Sequence, residues 1–175
     1  MNEATLIDVF RDIPRTDSIR VAIQVGKLRK ACFGDQTLEN FLGDSLDILL
    51  RLFNAHAGAF WFRPFNAATL CPVSRIGFDQ LSLSSPKLQA CENLVRGAWQ
   101  AIDPQIRPLD PPLVSLIGPI RDGSNSIGAL QLVADCDPIE PESAKPIYAR
   151  ALAAALALLQ PAIYRRMQVG ETSIR

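Results

Sequence analysis

The sequence predicts an α+β fold: one sheet with its helices gathered largely on one face. Three observations predict it. Two apolar, strand-like runs at residues 113–120 and 126–134 are joined by Arg121-Asp122-Gly123-Ser124-Asn125, whose residues are those of a hairpin turn. Stretches with apolar residues at helical spacing stand on both sides of that hairpin. Read in order, the chain runs helix, strand, strand, helix, extended piece, hairpin, long helix. At 175 residues it has the length of one domain with a full core.

Pro14 ends a short amphipathic helix over the first twelve residues. Asp17 caps a second that runs to about Lys30, with Ile19, Ala22, Ile23 and Gly26 along one narrow side. Thr37 caps a stronger helix, in which Leu38, Phe41, Leu42, Ser45, Leu46, Leu49, Leu52 and Phe53 form a broad apolar stripe. Residues 57–63, rich in aromatic and small side chains and closed by Pro64, read as a strand. A turn at Asn66-Ala67-Ala68 leads to a second strand at 70–77, which Pro72 assigns to a sheet edge or a bulge. Ser84-Ser85-Pro86 starts a helix bearing Leu88, Cys91, Val95 and Trp99, with Glu92 beside that face. Pro104, Pro108, Pro111 and Pro112 exclude a helix between 101 and 112, leaving a short extended piece at 105–109. After the hairpin, Asp137-Pro138-Ile139-Glu140 has capping-box spacing. The closing helix sets Leu152, Leu156, Leu159 and Ile163 on one face and Ala151, Ala154, Ala155 and Leu158 on a small-residue side.

Composition excludes several functions. Eighteen basic against eighteen acidic residues leave no net charge to attract a polyphosphate backbone, so nucleic acid is not expected as a partner. The start of the chain lacks the basic and unbroken apolar run of a signal peptide, and Gln160 and Pro161 interrupt the most apolar segment below membrane-spanning length. A cytoplasmic domain is expected. Cys32, Cys71, Cys91 and Cys136 form no CxxC pair, so neither a disulfide framework nor a metal site is expected. Any triad or metal site must pass through His56, the one histidine, whose place after the strongest helix suits a C-terminal cap. Ser84-Ser85-Pro86-Lys87 has the Ser-x-x-Lys spacing without the companion motifs of that chemistry, so helix capping is its expected role. No nucleotide-binding glycine loop or nucleophile elbow occurs.

The stretch Ser115-Leu116-Ile117-Gly118-Pro119-Ile120, then Asp122-Gly123, then Ser126-Ile127-Gly128-Ala129-Leu130-Gln131-Leu132 resembles the paired last strands of GAF domains. The helix before Ala57-Gly58-Ala59-Phe60-Trp61-Phe62 and the alanine-rich closing helix are similar to that family as well. The resemblance covers residues 36–168, with N-terminal helices in 1–35 and a polar tail in 169–175. It implies a GAF/PAS-like antiparallel sheet of about six strands, N- and C-terminal helices on one face and a small-molecule pocket on the other. GAF domains are sensors of cyclic nucleotides, bilins, haem or metabolites, or dimerisation modules inside larger regulatory chains. The cyclic-nucleotide signature is missing, Phe78-Asp79 being followed by Gln80. No cysteine precedes a histidine as bilin attachment would need, and Cys71 and Cys91 lack the third cysteine of a GAF-type methionine sulfoxide reductase.

The expectation is therefore a non-catalytic regulatory domain without a cofactor. It would form a homodimer through its terminal helices, with Ala151, Ala154, Ala155 and Leu158 at the contact, and would signal to an output domain in the same or a partner chain. Candidate ligand contacts are Trp61, Arg75, Cys91, Glu92, Trp99 and Ser115, a few polar groups among apolar walls. The alternatives are a metabolite sensor with a working pocket and a redox switch or enzyme using Cys71 or Cys91.

Overall fold

The computed structural model describes residues 3–14, 17–64, 69–81, 83–109, 111–135, 137, 139 and 143–172. The 66–68 turn, Cys136, and Pro138 and Glu140 of the capping box lie outside them. Among the described residues five helices and five strands follow in the order α1 (Glu3–Arg11), α2 (Ser18–Phe33), α3 (Leu38–Phe53), β1 (Ala57–Phe62), β2 (Cys71–Ile76), α4 (Ser85–Ala98), β3 (Gln105–Pro108), β4 (Leu113–Asp122), β5 (Asn125–Asp135) and α5 (Lys145–Thr172), with a 3-10 turn at Phe78–Gln80 before α4.

The strands form one antiparallel sheet in the order β2-β1-β5-β4-β3. All five segments read as extended from the sequence are strands. The sixth implied by the family resemblance is not found among the described residues. β2, with Pro72, is an edge strand, and its register against β1 shifts between Phe60 and Trp61. β1, β4 and β5 are buried on both faces, which is why their sequences are nearly continuous apolar runs.

Alternation along these strands separates two cores. Phe60, Phe62, Leu116, Ile120, Leu130 and Leu132 face the helices α1, α2, α3 and α5. Ala59, Trp61, Ile117, Ala129 and Val133 face the other way, toward Cys91, Val95 and Trp99 of α4 and Phe78 of the 3-10 turn. α3 and α5 lie on the sheet, while α1 and α2 pack over them as an outer layer. Phe10 of α1 meets Phe53 of α3 edge to face, with ring centroids 5.5 Å apart. α5 comes down close on β4 because Gly118 has no side chain; a Cβ there would lie 2.4 Å from Leu156 Cδ1. Gly128 does the same for β1, where a Cβ would meet the Trp61 carbonyl at 2.3 Å.

Three local expectations are corrected. In α2 the buried residues are Val21, Gln24, Val25, Leu28 and Cys32, so the expected stripe of Ile19, Ala22, Ile23 and Gly26 faces outward. Both sides of that helix are apolar, and only the position of α3 and α5 decides between them. His56 does not cap α3: Asn54, in the left-handed conformation, is the C-cap, and His56 Nε2 instead lies 2.9 Å from Asp135 Oδ1 at the end of β5. Ser84 occupies the N-cap of α4, but its side chain makes no capping hydrogen bond. Asp17 and Thr37 do cap α2 and α3, accepting from Ile19 N at 2.8 Å and Asn40 N at 3.4 Å.

α5 continues through Val169 to Thr172, into the stretch expected to be a separate tail. Its segment Lys145–Val169 is long and apolar enough to cross a membrane. Here Leu152, Leu156, Leu159 and Ile163 are core residues packed in the main helical layer. The N-terminal helices enter the same core through Leu6, Phe10, Val25 and Leu28.

Candidate functional site

Small-ligand chemistry in this architecture would be placed between the sheet and α4, where three of the candidate residues converge. Trp61 on β1, Ser115 on β4 and Cys91 on α4 are all buried, and they meet around a residue that sequence reasoning passed over, Gln131 of β5. The Trp61 indole Nε1–H donates to Gln131 Oε1 at 3.2 Å. Gln131 Nε2 lies 3.0 Å from Ser115 Oγ, 3.0 Å from Cys91 Sγ and 3.2 Å from the Cys91 carbonyl. An indole can only donate, so the carbonyl end of the amide faces Trp61 and the NH2 faces its three acceptors. The two amide hydrogens are shared among these acceptors and the carbonyl oxygen accepts from Trp61, so the amide ties β1, β4, β5 and α4 together at one point.

Strand periodicity explains this convergence. Ser115 and Gln131 point toward α4 because their neighbours Leu116 and Leu130 point toward α5, and the β4–β5 register sets Ser115 opposite Val133 and Ile117 opposite Gln131. Gln131 carried one legible signal, a lone amide within the apolar run from Gly128 to Ala134. A polar side chain in a strand buried on both faces needs partners, and here they come from three other elements.

The remaining candidates form the rim. Arg75 of β2 and Glu92 of α4 pair at 3.8 Å, Arg96 approaches the other Glu92 oxygen at 4.0 Å, and the Arg75 guanidinium lies 4.4 Å from the Phe78 ring centroid. Trp99 is buried under α4, with the Arg63 guanidinium 5.6 Å from its ring. Arg75, Glu92 and Trp99 thus pair with other neighbours on the rim of the Gln131 cluster.

Thiol chemistry is disfavoured at the buried cysteines. Burial pushes the Cys91 thiol up, an effect that its hydrogen bond from Gln131 and the charge of Arg75 partly oppose. Cys32, at the end of α2, is pushed up to about 11 by burial against the opposing charges of Arg166 and Arg165. Both are held as neutral thiols at neutral pH, the unreactive form. Cys71 is the exposed thiol among the described cysteines.

The candidate dimer residues lie inside the chain. Ala151, Ala154 and Ala155 are buried in the main core and Leu158 is half-buried, its carbonyl 3.8 Å from Cys32 Sγ. The three alanines serve packing within one molecule, while Leu158 keeps part of its surface exposed. Near the C-terminal end of α5, Arg166 is buried and donates to the carbonyls of Ala31, Cys32, Gly34, Gln36 and Ala162, with its guanidinium 4.1 Å from the Phe41 ring centroid. Burial lowers its pKa from the usual arginine range. This one side chain joins α5 to the end of α2 and the residues before α3 through charge-assisted hydrogen bonds, with Ala31 O also accepting from Gly34 N and Cys32 O from Arg165.

No family model matches the sequence, and no curated protein does. Solved structures do. The A. aeolicus nlh2 GAF domain in an inactive state is 18% identical with a TM-score of 0.65, the match covering 85% of this chain and 98% of that one. The GAF domain from a phosphoenolpyruvate-protein phosphotransferase of Coxiella burnetii is 14% identical with a TM-score of 0.60, covering 98% and 99%. The free methionine-R-sulfoxide reductase of Neisseria meningitidis, in complex with its substrate, is 12% identical with a TM-score of 0.57, covering 90% and 96%. One fold thus carries GAF domains of larger proteins and an enzyme. With its antiparallel five-stranded sheet, helical layer on one side and α4 on the other, this chain is a GAF-fold domain.

Proposed function

We propose that this chain is a non-catalytic regulatory domain of the signalling type, acting through association with protein surfaces and not through chemistry on a substrate. The observation that carries the reading is the Gln131 cluster. Where a sensor would leave polar groups open to a ligand, Gln131, Ser115, Cys91 and Trp61 use theirs on each other. A ligand entering between the sheet and α4 at this point would have to replace those bonds. The raised Cys91 pKa opposes a redox role at the same place. Kinship of fold with the GAF domain of a phosphoenolpyruvate-protein phosphotransferase supports an output module in the same or a partner chain.

A thermal-shift screen against nucleotides, amino acids, nitrate-like anions and tetrapyrroles, read beside molar mass from light scattering, tests the reading. The expected result is a ligand-blind melting curve and a mass above that of one chain. A ligand at about a hundred times its Kd contributes about 2.7 kcal/mol, or about 5–11 °C for a domain of this size. A specific rise of that order would replace this reading with the metabolite-sensor alternative.

A further inference from the structure

The two edges of the sheet differ in what they offer a further strand. At β3, Leu109 N donates to the Leu113 carbonyl at 3.0 Å, so the β3–β4 register turns the backbone groups of Arg107 and Gln105 toward β4 and those of Pro104, Ile106 and Pro108 outward. Proline has no N–H, so Ile106 is the donor left on that edge. At β2 the same reasoning gives an open edge. Arg63 N donates to the Ile127 carbonyl at 3.1 Å, so Trp61 and Ala59 of β1 turn to β5 while Phe60 and Gly58 turn to β2. Their partners Ser74 and Ile76 point inward, and Arg75 presents its N–H and C=O outward. Val73, the extra residue at the register shift, has no partner on β1, points the same way by alternation and is 49% exposed. Among the described residues the backbone of neither is hydrogen-bonded on the outer side. Unpaired N–H and C=O groups two residues apart are the template that an extended peptide completes.

The charges beside this edge identify the peptide. Arg75 and Arg96 share the single carboxylate of Glu92, at 3.8 and 4.0 Å, and Arg63 lies against the Trp99 ring with no carboxylate partner among the described residues. Asp79, next to Phe78, forms no ion pair with any of the three among those residues. Three guanidiniums against one shared carboxylate leave a positive excess on the α4 side of the open edge. A strand added to β2 sets a side chain opposite Arg75 at cross-strand distance, where an acidic residue is favoured and a basic one repelled. A second copy of the chain paired edge to edge about a two-fold axis would bring two Arg75 guanidiniums together, so like charge opposes that occupant.

We propose that the β2 edge at Val73 and Arg75 is a docking site for an extended acidic segment of a partner protein, which joins the sheet as its outer strand. The inference rests on the association reading above and names its surface and the chemistry of the partner.

The test titrates the full chain with a capped Glu-Val-Glu-Val-Glu peptide, read by fluorescence anisotropy and by amide hydrogen exchange. Saturable binding that weakens with salt is expected, with slowed exchange at the Val73 and Arg75 amides. Three changes are each expected to lower affinity at least about tenfold: Arg75→Glu in the chain, lysine in place of glutamate in the peptide, and N-methylation of every peptide residue, which keeps the charge and removes the ladder donors. Arg75 is exposed, and a melting curve verifies that the variant is folded. A Glu-Val-Glu-Val-Glu peptide that does not bind, or an N-methylated one that binds as tightly, overturns the proposal. If the chain is then still blind to small ligands and heavier than one copy, the association reading stands without this surface; if a small ligand stabilises it, that reading falls as well. Slow exchange at Val73 and Arg75 in the chain alone, lost on dilution, overturns the proposal by giving the edge to a second copy.

Discussion

Replacing Gln131 by Leu keeps nearly the same volume in the α4-facing core and removes the amide at its centre. Trp61 Nε1–H and the Ser115 hydroxyl, both buried, then lose the partner they have at 3.2 and 3.0 Å. Each orphaned buried polar group costs about 1–3 kcal/mol, so the expected loss is about 2–4 kcal/mol after the gain from a more apolar side chain is set against it. At about 2–4 °C per kcal/mol for a domain of this size, the melting temperature drops by about 4–16 °C. Urea unfolding followed by circular dichroism measures the free energy directly. Trp61→Phe alone orphans the other end of the same bond, Gln131 Oε1. The double variant removes both partners, so its cost is expected to fall short of the sum of the singles by about 1–2 kcal/mol. A Gln131→Leu chain within about 0.5 kcal/mol of wild type, or strictly additive singles, would refute the claim that this cluster is closed upon itself.

Ser45 is buried in α3 and its hydroxyl has no hydrogen-bond partner among the described residues, so Ser45→Ala should raise stability by about 1 kcal/mol, read from the urea midpoint. Arg166→Met should cost about 2–4 kcal/mol and speed hydrogen exchange at the α2–α3 connection, because it frees five carbonyls from one guanidinium; Arg166→Lys should recover only part, since an ammonium lacks the planar fork. The buried thiols predict a sign for the alkaline limb. A thiol whose folded pKa is raised stabilises the fold below its unfolded pKa near 9, and that contribution is lost as pH rises toward the folded value of about 11 for Cys32. Stability should therefore fall above pH 9 by up to about 1.4 kcal/mol per pH unit, and Cys32→Ala should flatten the fall. In a Cys136→Ser background, a thiol-reactive aromatic disulfide should label Cys71 rapidly and Cys32 and Cys91 only upon unfolding; fast labelling of Cys91 in the folded chain would contradict its burial.

Much of the architecture was legible in the residues. The hairpin of β4 and β5 follows from two apolar runs around a glycine turn, and α3 from one broad stripe whose opposite side is polar. Pro72 marked an edge and the prolines from 104 to 112 confined β3 to four residues. In each case a single local constraint, such as a turn conformation, a missing N–H or a period of apolar residues, leaves one option open.

The buried face of α2 and the burial of the alanine side of α5 were not legible, for a related reason. α2 offers two apolar stripes and α5 is apolar nearly all round, so periodicity gives the helix without its orientation. The candidate site divides the same way. That Trp61, Cys91 and Ser115 lie near one another follows from strand alternation and from α4 crossing the sheet. That a glutamine from a fourth element ties them together depends on the β4–β5 register and on the height of α4 above it. Sequence by itself determined the elements, their order and the two-sided burial of the central strands, because those depend on neighbours a few residues away. Only the tertiary structure decided which apolar face meets the core and which polar groups find each other, because those energies belong to contacts between residues far apart in the chain.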